Sequence, residues 1–163
     1  MISIQQANPK QYTILTEISF QSKNYWNYPK DWMDIWKKEL TITPEYIKKN
    51  QVFIALLNDH IVGYYSLVHN TTERWIGSFF FQQAYWLDHM FVHPDHIGQG
   101  IGTAFMKHLT TICQETQVQL IRLLADPHSI GFYKKMGCNY IHDVPSNISG
   151  RTVSLFEFVI PNI

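Results

Sequence analysis

A surplus of charge of either sign is missing from this chain: 13 basic residues balance 13 acidic ones over 163 positions. No broad field therefore advertises nucleic acid or an anionic membrane as a partner, and any phosphate recognition has to be local. Cysteine is scarce as well. Cys113 and Cys138 have neither disulfide-framework nor Cys-x-x-Cys spacing, which argues against a stapled secreted scaffold and against a zinc site. The eight histidines are scattered, and no His-x-x-x-His pair falls on an expected helix, so no metal is expected. No apolar run reaches the length of a membrane span. The first residues, Met-Ile-Ser-Ile-Gln-Gln, lack a basic and apolar leader layout, and a cytoplasmic location is expected. Asn70-Thr-Thr and Asn147-Ile-Ser match the glycosylation pattern only in letters.

Glycine is also sparing, with eight in all, yet three stand at alternate positions: Gly98, Gly100 and Gly102. They follow an apolar run ending at Val92 and a short polar loop, and they open a helical pattern. A strand, a glycine turn and a helix start is an arrangement that lets a ligand approach the backbone and offers free N–H groups to an anion. The ligand expected there carries phosphate.

The rest of the chain reads in order. Ile2 and Ile4 alternate with polar residues as a half-buried strand, and Asn8-Pro9 pairs a capping side chain with proline at the first helical position. Ile14, Leu15 and Ile18 mark a first amphipathic helix. A second runs from Asp31 to Leu40 with Trp32, Ile35, Trp36 and Leu40 expected on one face. Thr43-Pro44 opens a short helix stopping near Asn50. Gln51 to Leu57 and Ile61 to Val68 read as strands of a hairpin around Asn58-Asp59. Trp75, Ile76 and Phe79 to Phe81 fit core, edge or an apolar patch equally, and exposure there would favour a homodimer.

Ala84 to Val92 is apolar on both faces, as a central strand should be. With the helix from Gly102 to about Gln117 and the strand Leu120 to Ala125 it makes a strand, helix, strand unit with a parallel pair. A helix follows from Asp126-Pro-His-Ser to Met136, stopped by Gly137. Tyr140 to Val144 and Thr152 to Ile160 close the chain as an antiparallel pair. The layout is α+β, one mixed sheet with helices on its faces, and the length suits a single domain over 1–163.

Three phosphate-binding patterns compete for the glycine turn. A P-loop needs Gly-Lys-Ser/Thr, and no lysine follows here. The dinucleotide fingerprint places its third glycine where Thr103 stands and needs a tighter turn than His93 to Ile97 provides. The third pattern comes from resemblance. Val92-His93-Pro94 followed by Ile97-Gly98-Gln99-Gly100-Ile101-Gly102 resembles the Val-x-Pro turn and Arg/Gln-x-x-Gly-x-Gly/Ala loop of the GNAT N-acetyltransferase superfamily. Asp126 to Gly137 resembles its second motif, Asn-x-x-Ala-x-x-Phe-Tyr-x-Lys-x-Gly-Phe. Pro145 to Arg151 resembles a Pro-Ser-x-Ile-Pro-Gly-Arg ending of some small bacterial members.

The resemblance implies a GNAT-like, mostly antiparallel mixed sheet with one central parallel pair, and acetyl-CoA as co-substrate. It assigns coenzyme contacts to Ile97, Gly98, Gln99, Gly100, Ile101, Gly102 and Thr103, and to His128 in the second motif. Ile97 stands where Arg or Gln is usual, so the grip there should come from backbone N–H groups, with His96 nearby. His128 and Ser129 replace the motif's Asn and Ala. Acetyl transfer to an amine needs a neutral nucleophile, a polarised carbonyl and a proton for the thiolate. On the family's pattern Asp88 is the base, Met90, Phe91 and Val92 supply the backbone donor, and Tyr133 protonates the leaving group. Structural roles for Asp88 and Tyr133 stay open, and His89 is the second candidate base on this strand while it also reads as a core histidine. Tyr25, Trp26 and Tyr28, with Trp32, would line the acceptor wall, for an apolar or cationic amine by cation–π contact. The implied activity is acetyl transfer to a small-molecule or peptide amine by direct attack; a GNAT-fold module that binds acyl-CoA without turnover is the alternative.

Overall fold

Capping chemistry starts the helices where the sequence places it. In a computed structural model, which describes residues 1–76, 79–81 and 83–162, the Asn8 side chain accepts from the Lys10 N–H while Gln11 accepts from the Asn8 N–H. That box begins a 3-10 turn, Pro9–Gln11, running into α1 (Tyr12–Asn24). Thr43 Oγ1 accepts from the Tyr46 N–H at 3.1 Å, and Pro44 opens α3 (Pro44–Lys49). Both are N-cap signatures in which a side-chain oxygen takes an orphan donor of the first turn.

Contacts divide the chain into two compact units, Met1–Leu67 with His89–Phe105 and Val68–Asp88 with Met106–Ile163. In the first, β1 (Ile2–Gln6) runs antiparallel to β2 (Gln51–Leu57), which pairs with β3 (His60–Asn70) from Gln51↔Leu67 to Leu57↔His60. Asn58 and Asp59 both take positive φ, 49° and 64°, the conformation a two-residue hairpin turn requires. Leu15, Ile18, Ile42, Ile47, Val52, Ile54 and Tyr64 form the core of this unit. Tyr64 satisfies its hydroxyl against that of buried Ser19.

One expectation in this unit is corrected. α2 (Lys30–Leu40) buries Met33, Trp36 and Leu40, while Ile35 is 51% exposed and Trp32 is half-buried. Met33, Trp36 and Leu40 fall at i, i+3 and i+7, as valid a helical stripe as the expected one, rotated by about one residue.

In the second unit, the first part of β6 (Ala84–Val92) pairs in parallel with β7 (Leu120–Ala125) at Tyr85↔Ile121 and Trp86↔Arg122. β7 is antiparallel to β9 (Thr152–Val159), and β9 to β8 (Asn139–Pro145). Trp86, Val144 and Leu155 pack together. The hard-to-place stretch makes a small antiparallel sheet of its own, β4 (Arg74–Ile76) with β5 (Phe79–Phe81). Trp75 is 69% exposed there and lies against Phe80 at 5.1 Å. The side chains of Ile76, Phe79 and Phe81, on which the dimer expectation partly rested, lie outside the described residues.

Strand order is β1-β2-β3-β6-β7-β9-β8 in a seven-stranded sheet. Among the described pairings, β6 with β7 is parallel and the others are antiparallel, which with helices α1 to α5 between strands is the α+β arrangement expected. Among the described residues no helix is long and apolar enough to cross a membrane.

Candidate active site

The glycine turn is built from the end of β6 onward. His93 N–H donates to Val62 O at 2.8 Å, which ties the strand's end to β3. A 3-10 turn, Pro94–His96, follows, capped by His93 Nδ1 accepting from the Asp95 N–H at 3.1 Å. Gly98 and Gly100 then take φ of +80° and +84°, a region that costs an L residue about 1–2 kcal/mol. Nothing lies within 4 Å of where a Cβ would stand on either, so glycine is required by backbone conformation and not by crowding.

α4 (Ile101–Glu115) starts directly afterwards. Its first bond runs from the Ala104 N–H to Gly100 O at 3.0 Å, which leaves the N–H groups from Gly98 to Thr103 ahead of the helical ladder. Ile101 is buried and anchors the helix start, while Ile97 is 45% exposed. The loop braces itself: His96 Nδ1 and Gln99 Oε1 are 3.0 Å apart, and Gln99 Nε2 donates to Asp95 O at 3.4 Å. The side chain of His96 is thus engaged with Gln99.

Glycine also sets the strand before the loop. A Cβ on Gly63 would stand 2.8 Å from Phe91 O and 3.2 Å from the Phe105 ring. Only a residue without a side chain lets β3 approach Phe91 this closely. In the same unit the His89 N–H donates to Ser66 Oγ at 3.2 Å, and Ser66 Oγ meets Tyr46 Oη at 2.7 Å. The His89 ring packs against Phe91, Tyr64 and Tyr46 with centroids 5.5, 6.2 and 6.0 Å away. Among these rings His89 is half-buried. Met90, Phe91 and Val92 are half-buried.

The remaining catalytic candidates belong to the second unit. Asp88 is exposed on β6. Tyr133, on the six-residue α5 (Ile130–Lys135), is buried at 7% exposure. Burial first, and the neighbouring Cys138 sulfur second, push its phenol well above the ordinary value of 10.0, because low-dielectric surroundings penalise the phenolate. Its ring sits edge-on to Phe132 at 5.1 Å and 6.3 Å from Phe156.

His128 is exposed at the head of this motif, in the 3-10 turn Pro127–Ser129. The turn is held by Asp126, whose Oδ1 accepts from the His128 N–H at 3.1 Å and whose Oδ2 accepts from Arg151 Nη2 at 2.8 Å. Arg151 is therefore an ion-pair partner, and Asp126 a structural acid. No single-residue pattern signalled this pairing, since 25 residues separate the two.

The aromatic candidates divide into two groups. Tyr25 and Trp26 are edge-on neighbours at 4.8 Å, 48% and 41% exposed. Tyr28 instead joins Trp32 (5.8 Å) and Trp36 (5.0 Å). Lys23, for which no motif in the sequence gives a signal, puts its Nζ over Trp36 at 4.4 Å and over Tyr28 at 5.5 Å.

Residues 13–138 match the model of the acetyltransferase (GNAT) family. The chain is similar to an uncharacterized N-acetyltransferase, ycf52, of Porphyra purpurea, 36% identical over 59 residues that cover 36% of this chain and 32% of that protein. Its counterpart from Gracilaria tenuistipitata var. liui is 36% identical over 36% of this chain and 31% of its own. The matched stretch thus spans about a third of the length of these curated relatives.

Among solved structures, a GCN5-related N-acetyltransferase from Rhodopseudomonas palustris superposes with a TM-score of 0.75 at 16% identity, covering 96% of this chain and 94% of that one. The PaiA N-acetyltransferase of Thermoplasma acidophilum, in complex with coenzyme A, gives 0.71 at 15% identity over 98% and 99%. At such identities the likeness is one of fold. The family model spans most of the chain, including the glycine turn and Tyr133, and this chain belongs to the GNAT acetyltransferase family.

Proposed function

We propose that this protein is an acetyl-CoA-dependent N-acetyltransferase that acetylates a primary amine by direct attack. The observation that carries the reading is the Gly98–Thr103 stretch: two glycines at positive φ open into a helix start whose N–H groups precede the helical ladder. Consecutive backbone donors at the positive end of a helix suit a pyrophosphate. Exposed Ile97, in place of a cationic or amide side chain, leaves that grip to the backbone. The residues present fit the coenzyme, which supplies the thioester and leaves as a thiol.

The protein's part in the reaction follows from chemistry. An alkyl ammonium has a pKa of about 10.4 and must lose a proton before it attacks; Asp88, exposed on β6, takes it directly or through water. A backbone N–H among Met90, Phe91 and Val92 donates to the carbonyl oxygen as negative charge grows there. Tyr133 holds its proton across the physiological range, because burial disfavours the phenolate, and it donates that hydrogen to the departing sulfur while the proton that the nitrogen sheds as the amide forms restores the phenol through water. His128 contributes a contact to the coenzyme arm. Tyr25, Trp26 and Tyr28 face the acceptor.

The test is release of free thiol from acetyl-CoA over a panel of primary amines. Transfer to at least one amine with a saturable rate supports the reading. Tight acetyl-CoA binding with no transfer to any amine would instead favour the acyl-CoA-binding module.

A further inference from the structure

Lys23 lies in the last turn of α1, and its ammonium stands over two rings, Tyr28 of the next segment and Trp36 of α2. Nζ lies 4.4 Å from the Trp36 centroid and 5.5 Å from that of Tyr28, inside the roughly 6 Å reach of a cation–π contact. The rings form a corner. Tyr28 and Trp36 meet at 85°, Trp32 and Trp36 at 71°, and Tyr28 stacks on Trp32 at 29°, with all three centroid separations between 5.0 and 5.9 Å. Trp36 is only 2% exposed, and the Lys23 ammonium is among the groups that lie over its ring.

We propose that Tyr28, Trp32 and Trp36 form an ammonium-binding cage whose resident occupant is Lys23, displaced when a cationic amine enters. The chain's own ammonium is a stand-in that shows the cage accepts this chemistry. Lys23 sits on a flexible four-carbon stem at a helix end, and when displaced it regains rotamer freedom and full hydration. The motion required is one of the lysine side chain, and the site fits a slender n-alkylammonium, the side-chain class of lysine itself. Because the nitrogen that attacks a thioester must be neutral, the ammonium held here is a second cationic group of the acceptor. That link to transfer rests on the acetyltransferase reading above; the cage does not.

Lys23 then acts as an internal competitor. If it fills the cage about nine-tenths of the time, an incoming ammonium binds about tenfold more weakly than to the open cage. The test is a titration of the full-length protein with n-butylammonium, followed by tryptophan fluorescence, against n-pentanol as the neutral control. Lys23→Met keeps the stem and removes the charge. It should bind n-butylammonium about tenfold more tightly than the wild type and leave n-pentanol unchanged, and Tyr28→Leu added to it should abolish the gain.

Equal affinity in wild type and Lys23→Met, or equal gains for amine and alcohol, overturns the cage. Thermal melting shows whether each variant is folded, and Lys23→Gln serves where the methionine variant is not. The assay contains no acetyl-CoA, so cage binding without acetyl transfer sinks only the enzyme reading. Transfer without the Lys23→Met gain sinks only the cage.

Discussion

Arg151 Nη2 donates to Asp126 Oδ2 at 2.8 Å, with the two side chains 10% and 20% exposed. The same carboxylate caps the turn that begins the second motif. One acid thus holds both the arginine of the C-terminal motif and the segment leading to Tyr133.

Removing the arginine takes a cationic donor at 2.8 Å from that half-buried carboxylate. Arg151→Met should lower unfolding free energy by about 2 kcal/mol, between the values for exposed and fully buried pairs. Urea denaturation measures it, and Asp126→Asn added to the variant should recover part of the loss. An Arg151→Met protein as stable as the wild type would show that the pair contributes nothing net.

Gly63 is a second structural test. A methyl group there would stand 2.8 Å from a backbone carbonyl of β6, which has no rotamer to escape by. Gly63→Ala should cost about 1–3 kcal/mol, the range for overpacking, again by urea denaturation. A neutral substitution would mean that β3 and Phe91 are not held this close.

Both cysteines are buried, and burial lifts each thiol from 9.0 to about 11. A folded value above the unfolded one means the stabilising contribution is complete below pH 9 and is lost as pH rises toward 11. Unfolding free energy should therefore decline between pH 9 and 11, and a thiol reagent at pH 8 should label Cys113 and Cys138 only after denaturation. Rapid labelling of the native protein would contradict this burial.

Tyr133→Phe keeps the ring that packs on Phe132 and Phe156 and removes only the hydroxyl. The expected result is a kcat at least about a hundredfold lower, as for loss of a general acid, with acetyl-CoA affinity nearly unchanged. Because the phenol is held above its ordinary value, wild-type kcat should not fall from Tyr133 ionisation up to pH 10. Unaltered turnover in the variant would remove Tyr133 from the mechanism.

Features carried by contiguous residues were legible from the sequence. Asn8-Pro9, Thr43-Pro44 and Asn58-Asp59 each specify a local backbone geometry, and the glycine turn and the second motif are runs of neighbours. The face of α2 was not, because apolar residues at Trp32, Met33, Ile35, Trp36 and Leu40 wrap more than one stripe and tertiary packing selects among them. Arg151 with Asp126, and Lys23 with Trp36, are long-range pairs for which sequence spacing has no signature. β4 and β5 are three residues each, too short for a period to register.

The measurement closest to the central claim is calorimetric titration of acetyl-CoA into the wild type and Gly100→Trp. Gly100 has φ of +84° and open space where a side chain would project, so the variant should fold with a small penalty yet occupy the ground above the donor run. Saturable heat for the wild type and none for Gly100→Trp is the predicted outcome. Equal affinity in both proteins would contradict a coenzyme held on the backbone from Gly98 to Thr103.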